Sequence, residues 1–239
     1  MAATLHDTSL GTVDGSGTDL STSDALTVTA GDLVVAGFKW EGADGATATL
    51  DTGASTPEFS VANAAQFHEG PGDLSGGVWY WIATDTGTVT VRARLTAART
   101  FRKIKAYSFT PGTGTTLELG NVAAVEGLGT AYSAGSASAI AAGVATVFFH
   151  LYGPRDLQVG AGGWAEAAEF TALDDAQGTE YQFQTGAGSL TGDGSGESPT
   201  VYNIAQLAIF DEAELGGEPS TGPVGLISQR NRRHIGRAM

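Results

Sequence analysis

Residues 78–95, VWYWIATDTGTVTVRARL, decide the fold class. Side chains of a strand alternate between its two faces. Trp79 and Trp81 therefore share one face, and Val78, Tyr80 and Ile82 the other, so both faces of this segment are apolar. A strand apolar on both sides reads as a central strand with Trp in the core and its outer face covered by a loop or a neighbouring subunit. Beyond the Asp-Thr-Gly turn the pattern becomes one-sided. Val89, Val91, Ala93 and Leu95 line one face, and Thr90, Arg92 and Arg94 line the other.

Working outward, the same reading applies to ALTVTAGDLVVAGFKW, GATATLD, RKIKAYSF, ATVFFHLYG, TEYQFQTG and VYNIAQLAIF. Each is a short run rich in β-branched and aromatic residues, and Asp-Gly, Gly-Ser, Pro-Gly and Gly-Gly steps separate them. No window carries the 3.6-residue period of an amphipathic helix over ten or more residues. The 35 glycines and only two methionines agree with a turn-rich sheet protein, and 41% hydrophobic residues suffice for a core. The expected fold is all-β: an antiparallel β-sandwich, jelly-roll-like, over residues 1–211. After Phe210 the character changes. Gly216, Gly217, Pro219, Gly222 and Pro223 interrupt any regular element, which predicts a linker and an extended basic C-terminal arm over 212–239.

Residues 29–42, TAGDLVVAGFKWEG, and 140–153, IAAGVATVFFHLYG, form a weak internal echo. Both run from an Ala-Gly step into an apolar strand that ends in an aromatic and a glycine. Two core strands of one sandwich account for the likeness without a repeat.

The net charge is -14, and its distribution is uneven. Lys39 is the only cation before Arg92, residues 92–105 hold six cations and no anion, and the last ten residues hold Arg230, Arg232, Arg233 and Arg237. If TVTVRARL (88–95) and RKIKAYSF (102–109) pair as a hairpin over TAARTF, then Arg92, Arg94, Lys103 and Lys105 stand together on one outer face. Like charges opposite one another in a sheet are destabilising, so this face calls for carboxylates or a partner. Nucleic acid is disfavoured as that partner by the sequence pI of about 4.4. The terminal arginines read as an interaction arm, because a guanidinium fork pairs bidentately with carboxylates once docked.

Catalytic and metal signatures are weak. DGSGTD (14–19), DDAQGTE (174–180) and DGSGE (193–197) are rich in oxygen ligands, but none completes the calcium-loop pattern and Asp-Gly turns explain them. His6, His68, His150 and His234 are scattered, and HEGPG lacks the second histidine of a zinc-protease helix. There is no GxSxG elbow and no phosphate-binding loop. The chain has no cysteine, which excludes disulfides and thiolate sites and fits a reducing compartment. Its N-terminus lacks the basic and apolar regions of a secretory signal, and no apolar run is long enough to span a bilayer. The expectation is a protein that is not an enzyme and holds no metal or cofactor.

The succession TAGDLVVAGFKWEG, VWYWIATDTGTVTVRARL, IKAYSF, ATVFFHLYG with its following GGW, and IAQLAIF resembles the β-sandwich structural proteins of tailed bacteriophages and gene transfer agents, over about residues 25–210. The resemblance implies a virion part, such as a head decoration, head fibre or tail protein. It would be made in the host cytoplasm and partnered by copies of itself and other virion proteins, without catalytic residues or a membrane. The competing expectation is a lectin-like carbohydrate-binding module in which Trp79 and Trp81 form a flat platform for a host surface glycan.

Overall fold

The computed structural model describes residues 3–13, 15–42, 45–53, 59–61, 67–69, 74–128, 131–139, 144–152, 165–169, 177–184, 188–195 and 202–215. These residues form strands and no helix. In chain order the strands are β1 (Thr4–Val13), β2 (Gly17–Ser21), β3 (Leu26–Val28), β4 (Leu33–Glu41), β5 (Ala48–Asp51), β6 (Ser60–Val61), β7 (Phe67–Glu69), β8 (Leu74–Ile82) and β9 (Gly87–Val89). They continue with β10 (Arg92–Thr110), β11 (Thr115–Leu128), β12 (Ala131–Ala139), β13 (Val144–Tyr152), β14 (Ala165–Glu169), β15 (Gln177–Gln184), β16 (Gly188–Ser195) and β17 (Tyr202–Glu214). Every pairing among them is antiparallel.

One sheet runs in the order β1-β10-β4-β8-β6, with β7 also on β8. A second runs β11-β17-β13-β15-β14, and two ribbons pair β12 with β16 and β3 with β9. The first sheet is apolar on both faces, as its central strand requires. Val34, Ala36, Phe38 and Trp40 of β4 pack with Trp79, Ile104 and Ala106 into one core, closed by Leu20, Leu26, Val28, Leu50 and Val91. Leu33 and Val35 of the same strand turn the other way. With Val78, Tyr107 and Phe109 they form a second core against Leu117, Ala208 and Phe210 of the second sheet. The period-two pattern thus places β4 and β8 in a middle layer, and the turn into β4 uses Gly31 at φ 95°, a conformation natural to glycine.

Two differences from the expected layout follow. β17 continues to Glu214, where it pairs with Thr115, so the sheet passes the expected boundary at 211. β10 is a single strand rather than a hairpin over TAARTF. Its first part pairs with β2 and β5, and its later part with β1 and β4. Register slips between Arg94 and Arg99 and between Thr100 and Lys103, around Phe101 at φ 45°. A one-residue slip exchanges the two faces of a strand. Ala93 and Leu95 before the slip, and Ile104 and Ala106 after it, consequently all enter the same core. β10 bends around that core instead of returning beside itself.

Candidate interaction surface

The bend in β10 separates the basic residues that a hairpin would have gathered. Arg92 and Arg94 remain at the surface, and Asp51 of the neighbouring β5 serves both. The Arg92 Nε donates to Asp51 Oδ1 at 3.1 Å, and the Arg94 Nη2 lies 2.8 Å from Asp51 Oδ2. The register explains the meeting, since Arg92 stands opposite Asp51 and Arg94 opposite Thr49. This carboxylate supplies the relief that a ladder of like charges needs.

Lys103 and Lys105 do share a face, but that face is internal. Lys103 is 1% exposed, Lys105 5%, and Lys39, which stands directly opposite Lys103, 0%. The Lys39 ammonium lies 3.5 Å from Glu41 Oε1, and the Lys105 Nζ sits 5.7 Å from the centre of the Tyr107 ring. Burial pushes the Lys105 ammonium below the usual lysine range, with the Asp7 charge opposing the shift. Arg102 is buried too. Its two terminal nitrogens donate to the backbone carbonyls of Asp19 and Gly15, the latter at 2.9 Å. The expected outer basic face is thus replaced by an arginine pair at the surface where β10 begins and a buried lysine row on β4 and the later part of β10.

A second polar cluster ties the start of the chain to the turn before β4. Asp32 is 1% exposed. Its Oδ2 accepts from the Thr29 N–H at 2.8 Å and lies 2.6 Å from His6 Nδ1, while its Oδ1 accepts from the Thr110 hydroxyl at 2.8 Å. Nearby, Asp7 accepts from the backbone N–H groups of Thr8 and Thr27, each at 2.7 Å. Burial alone would raise the Asp7 carboxyl. The hydrogen bonds from Thr27 and Thr8, with the charge of His6, outweigh it and hold the group below the usual carboxylate range. A depressed carboxyl stabilises the fold above its unfolded pKa of about 3.9, and that contribution disappears as the pH falls through the lower folded value. Urea melts at pH 6 and pH 3 should therefore show Asp7→Asn destabilised at pH 6 and closer to the parent at pH 3. Solvent screens this partly buried group, so the difference at pH 6 is about 1 kcal/mol or less.

Among the other expected site residues, Trp79 is 1% exposed and edge-on to Phe38 at 6.3 Å, while Trp81 is half-buried and stacked on Phe59 at 5.8 Å. Trp79 offers no ring face to a sugar in this arrangement. Arg230, Arg232, Arg233 and Arg237 lie outside the described residues. Of the oxygen-rich stretches, Asp19 lies in β2, Glu180 in β15 and Asp193 in β16, where strand pairing holds their backbone. Among the described residues no three or more His, Asp or Glu are grouped so as to hold a metal ion, and no helix is long and apolar enough to cross a membrane. The Asp51 bridge and the Asp32 hub escape sequence reading because each joins residues distant in the chain. Only the Gly-Asp step before β4 hints at Asp32.

No protein-family model matches the chain, and neither a curated protein nor a solved structure matches it.

Proposed function

We propose that the chain is a non-enzymatic structural component of a phage-like virion, a head decoration, head fibre or tail protein. In this reading it is a jelly-roll-like sandwich that assembles on copies of itself or on a shell protein through its sheet surface and its C-terminal arm. The observation that carries the reading is charge asymmetry: a chain of net charge -14 ends in a segment with four arginines and no carboxylate in its last ten residues. An acidic body and a basic end on one chain are complementary between neighbours, and repetition in a symmetric shell lets a weak contact act many times. The charged clusters described above agree with a load-carrying role, because Asp51 and Asp32 join strands to one another.

The test compares the full chain with one ending at Leu215, the end of the described body, by sedimentation at low and high salt and with purified shell particles. The full chain should self-associate or bind particles at about 0.05 M salt and release at about 1 M, where charge is screened within roughly 3 Å. The shortened chain should remain monomeric and unbound under both conditions. Identical behaviour of the two chains would remove the arm from the proposal, and with it the main support for an assembly role.

A further inference from the structure

The two sheets follow one plan. In each, the first strand of the segment pairs with the last, the last with a long middle strand, the middle strand with the next, and that one with a short edge strand. The order is β1-β10-β4-β8-β6 in one and β11-β17-β13-β15-β14 in the other. The registers agree residue by residue. Phe109 stands opposite both Leu5 and Leu33, and Phe210 opposite both Leu119 and Ala145. Leu33 is in turn opposite Ile82, and Ala145 opposite Phe183. On the edge strands Ser60 faces Tyr80, and Ala165 faces Tyr181. Even the irregularity is shared: the opening strand carries one extra residue just after Leu5 in the first copy and just after Leu119 in the second.

Packing supplies an independent observation. The register equivalents Leu5, Tyr80, Ile82 and Phe109 of the first segment, and Leu119, Tyr181, Phe183 and Phe210 of the second, all lie in the same core between the sheets. Exchanging the two segments turns the contact Tyr80–Phe210 into Tyr181–Phe109. Both contacts exist, edge-on in each case, at 5.4 Å and 63° and at 5.7 Å and 65°. Residue i touching j while the equivalent of j touches the equivalent of i is the mark of a twofold interface between like surfaces.

We infer that residues 4–110 and 115–214 are a tandem duplication of one strand unit, and that the face between them is a homotypic docking surface whose fitting partner is a second copy of that unit. The echo between residues 29–42 and 140–153 is then the equivalence of the middle strands β4 and β13. Gly77 and Tyr80 likewise recur as Gly178 and Tyr181. Divergence has made the pair directional. Where the first unit carries Lys39, Lys103 and Lys105, the second has Leu151, Ile204 and Gln206 at the equivalent register positions. Two first units would oppose their lysine rows, whereas a first and a second unit do not.

Each unit closes on itself, and residues 111–114 join the two. Both ends of the body lie beside this connector, since Thr4 pairs with Thr110 and the Leu215 N–H donates to the Gly114 carbonyl at 2.9 Å. A circular permutant of the full chain, beginning at Thr113 and joining Met239 to Met1, should remain a monomer that unfolds in one transition, within about 5 °C of the parent. A second permutant, with residues 216–239 replaced by an equally long Gly-Ser linker, separates failure of the join from failure of the idea. If neither permutant folds, the units are not self-contained copies and the duplication is overturned. Double-mutant cycles in the parent test the face itself: the denaturation-midpoint coupling of Tyr80 with Phe210 should equal that of Tyr181 with Phe109 within a factor of two. Coupling in only one of the pairs would overturn the homotypic face.

Discussion

Trp79→Ala is expected to be destabilised by about 3–5 kcal/mol, a large share of the roughly 5–15 kcal/mol that hold a domain folded. The indole ring lies edge-on to Phe38 in the core that also holds Ala36, its register partner on β4, and Ile104, and the site has little freedom to collapse. Gly77 shows how close the packing is, because a Cβ there would come within 2.8 Å of the ring. Backbone already occupies one side of the space, and strands paired on both edges cannot shift to fill the cavity. Urea denaturation should show a lower midpoint with an unchanged slope, as expected when stability changes and the unfolded state does not. Trp81→Ala is the internal control. Its ring is half-buried, so the loss should be about half as large. A surface sugar platform would give the opposite result, with both alanine variants melting like the parent.

The strands that sequence reveals best are those buried on two sides. In β4 and β8 nearly every position is apolar, and the faces assigned by alternation are the faces that enter the two cores. Alternation says which side chains share a face, but not what covers it. Lys103, Lys105 and Tyr107 do lie together, yet that face is buried rather than solvated, and at Tyr107 the second sheet covers it. The bend of β10 was equally hidden, since nothing in TAARTF marks Phe101 as the residue that takes a positive φ. β1 was missed because TLHDTSLGTV mixes His, Asp and Ser among its few apolar residues, and β12 and β16 because Ala, Ser and Gly dominate them. The duplication leaves only a faint trace in sequence because a strand unit is specified by its pattern of inward side chains. Tyr107 can become Ala208, or Ile82 become Phe183, provided that the facing side chains adjust with them.

Asp32→Ala carries the second large effect, about 3–5 kcal/mol, through polar groups rather than volume. The carboxylate sits where three distant parts of the first unit meet: β1 through His6, the turn into β4 through the Thr29 N–H, and the end of β10 through the Thr110 hydroxyl. Removing it leaves these groups facing a space too enclosed for easy solvation, and a buried donor without a partner costs more than an ordinary hydrogen bond gains. The backbone bonds of residue 32, from its N–H to the Thr29 carbonyl at 2.9 Å and to its own carbonyl from the Ala83 N–H at 2.8 Å, survive the substitution. The loss therefore reports the side chain rather than collapse of the turn. Asp32→Asn should fall between parent and alanine, because one amide oxygen can still accept from Thr110 while the amide nitrogen cannot accept from Thr29. His6→Ala should cost less than either, since the ring is partly solvated. The three variants ranked by urea midpoint test the hub directly. If Asp32→Ala lies within about 1 kcal/mol of the parent, the carboxylate is not what holds β1, the turn and the end of β10 together, and the paired backbones alone carry that corner of the fold.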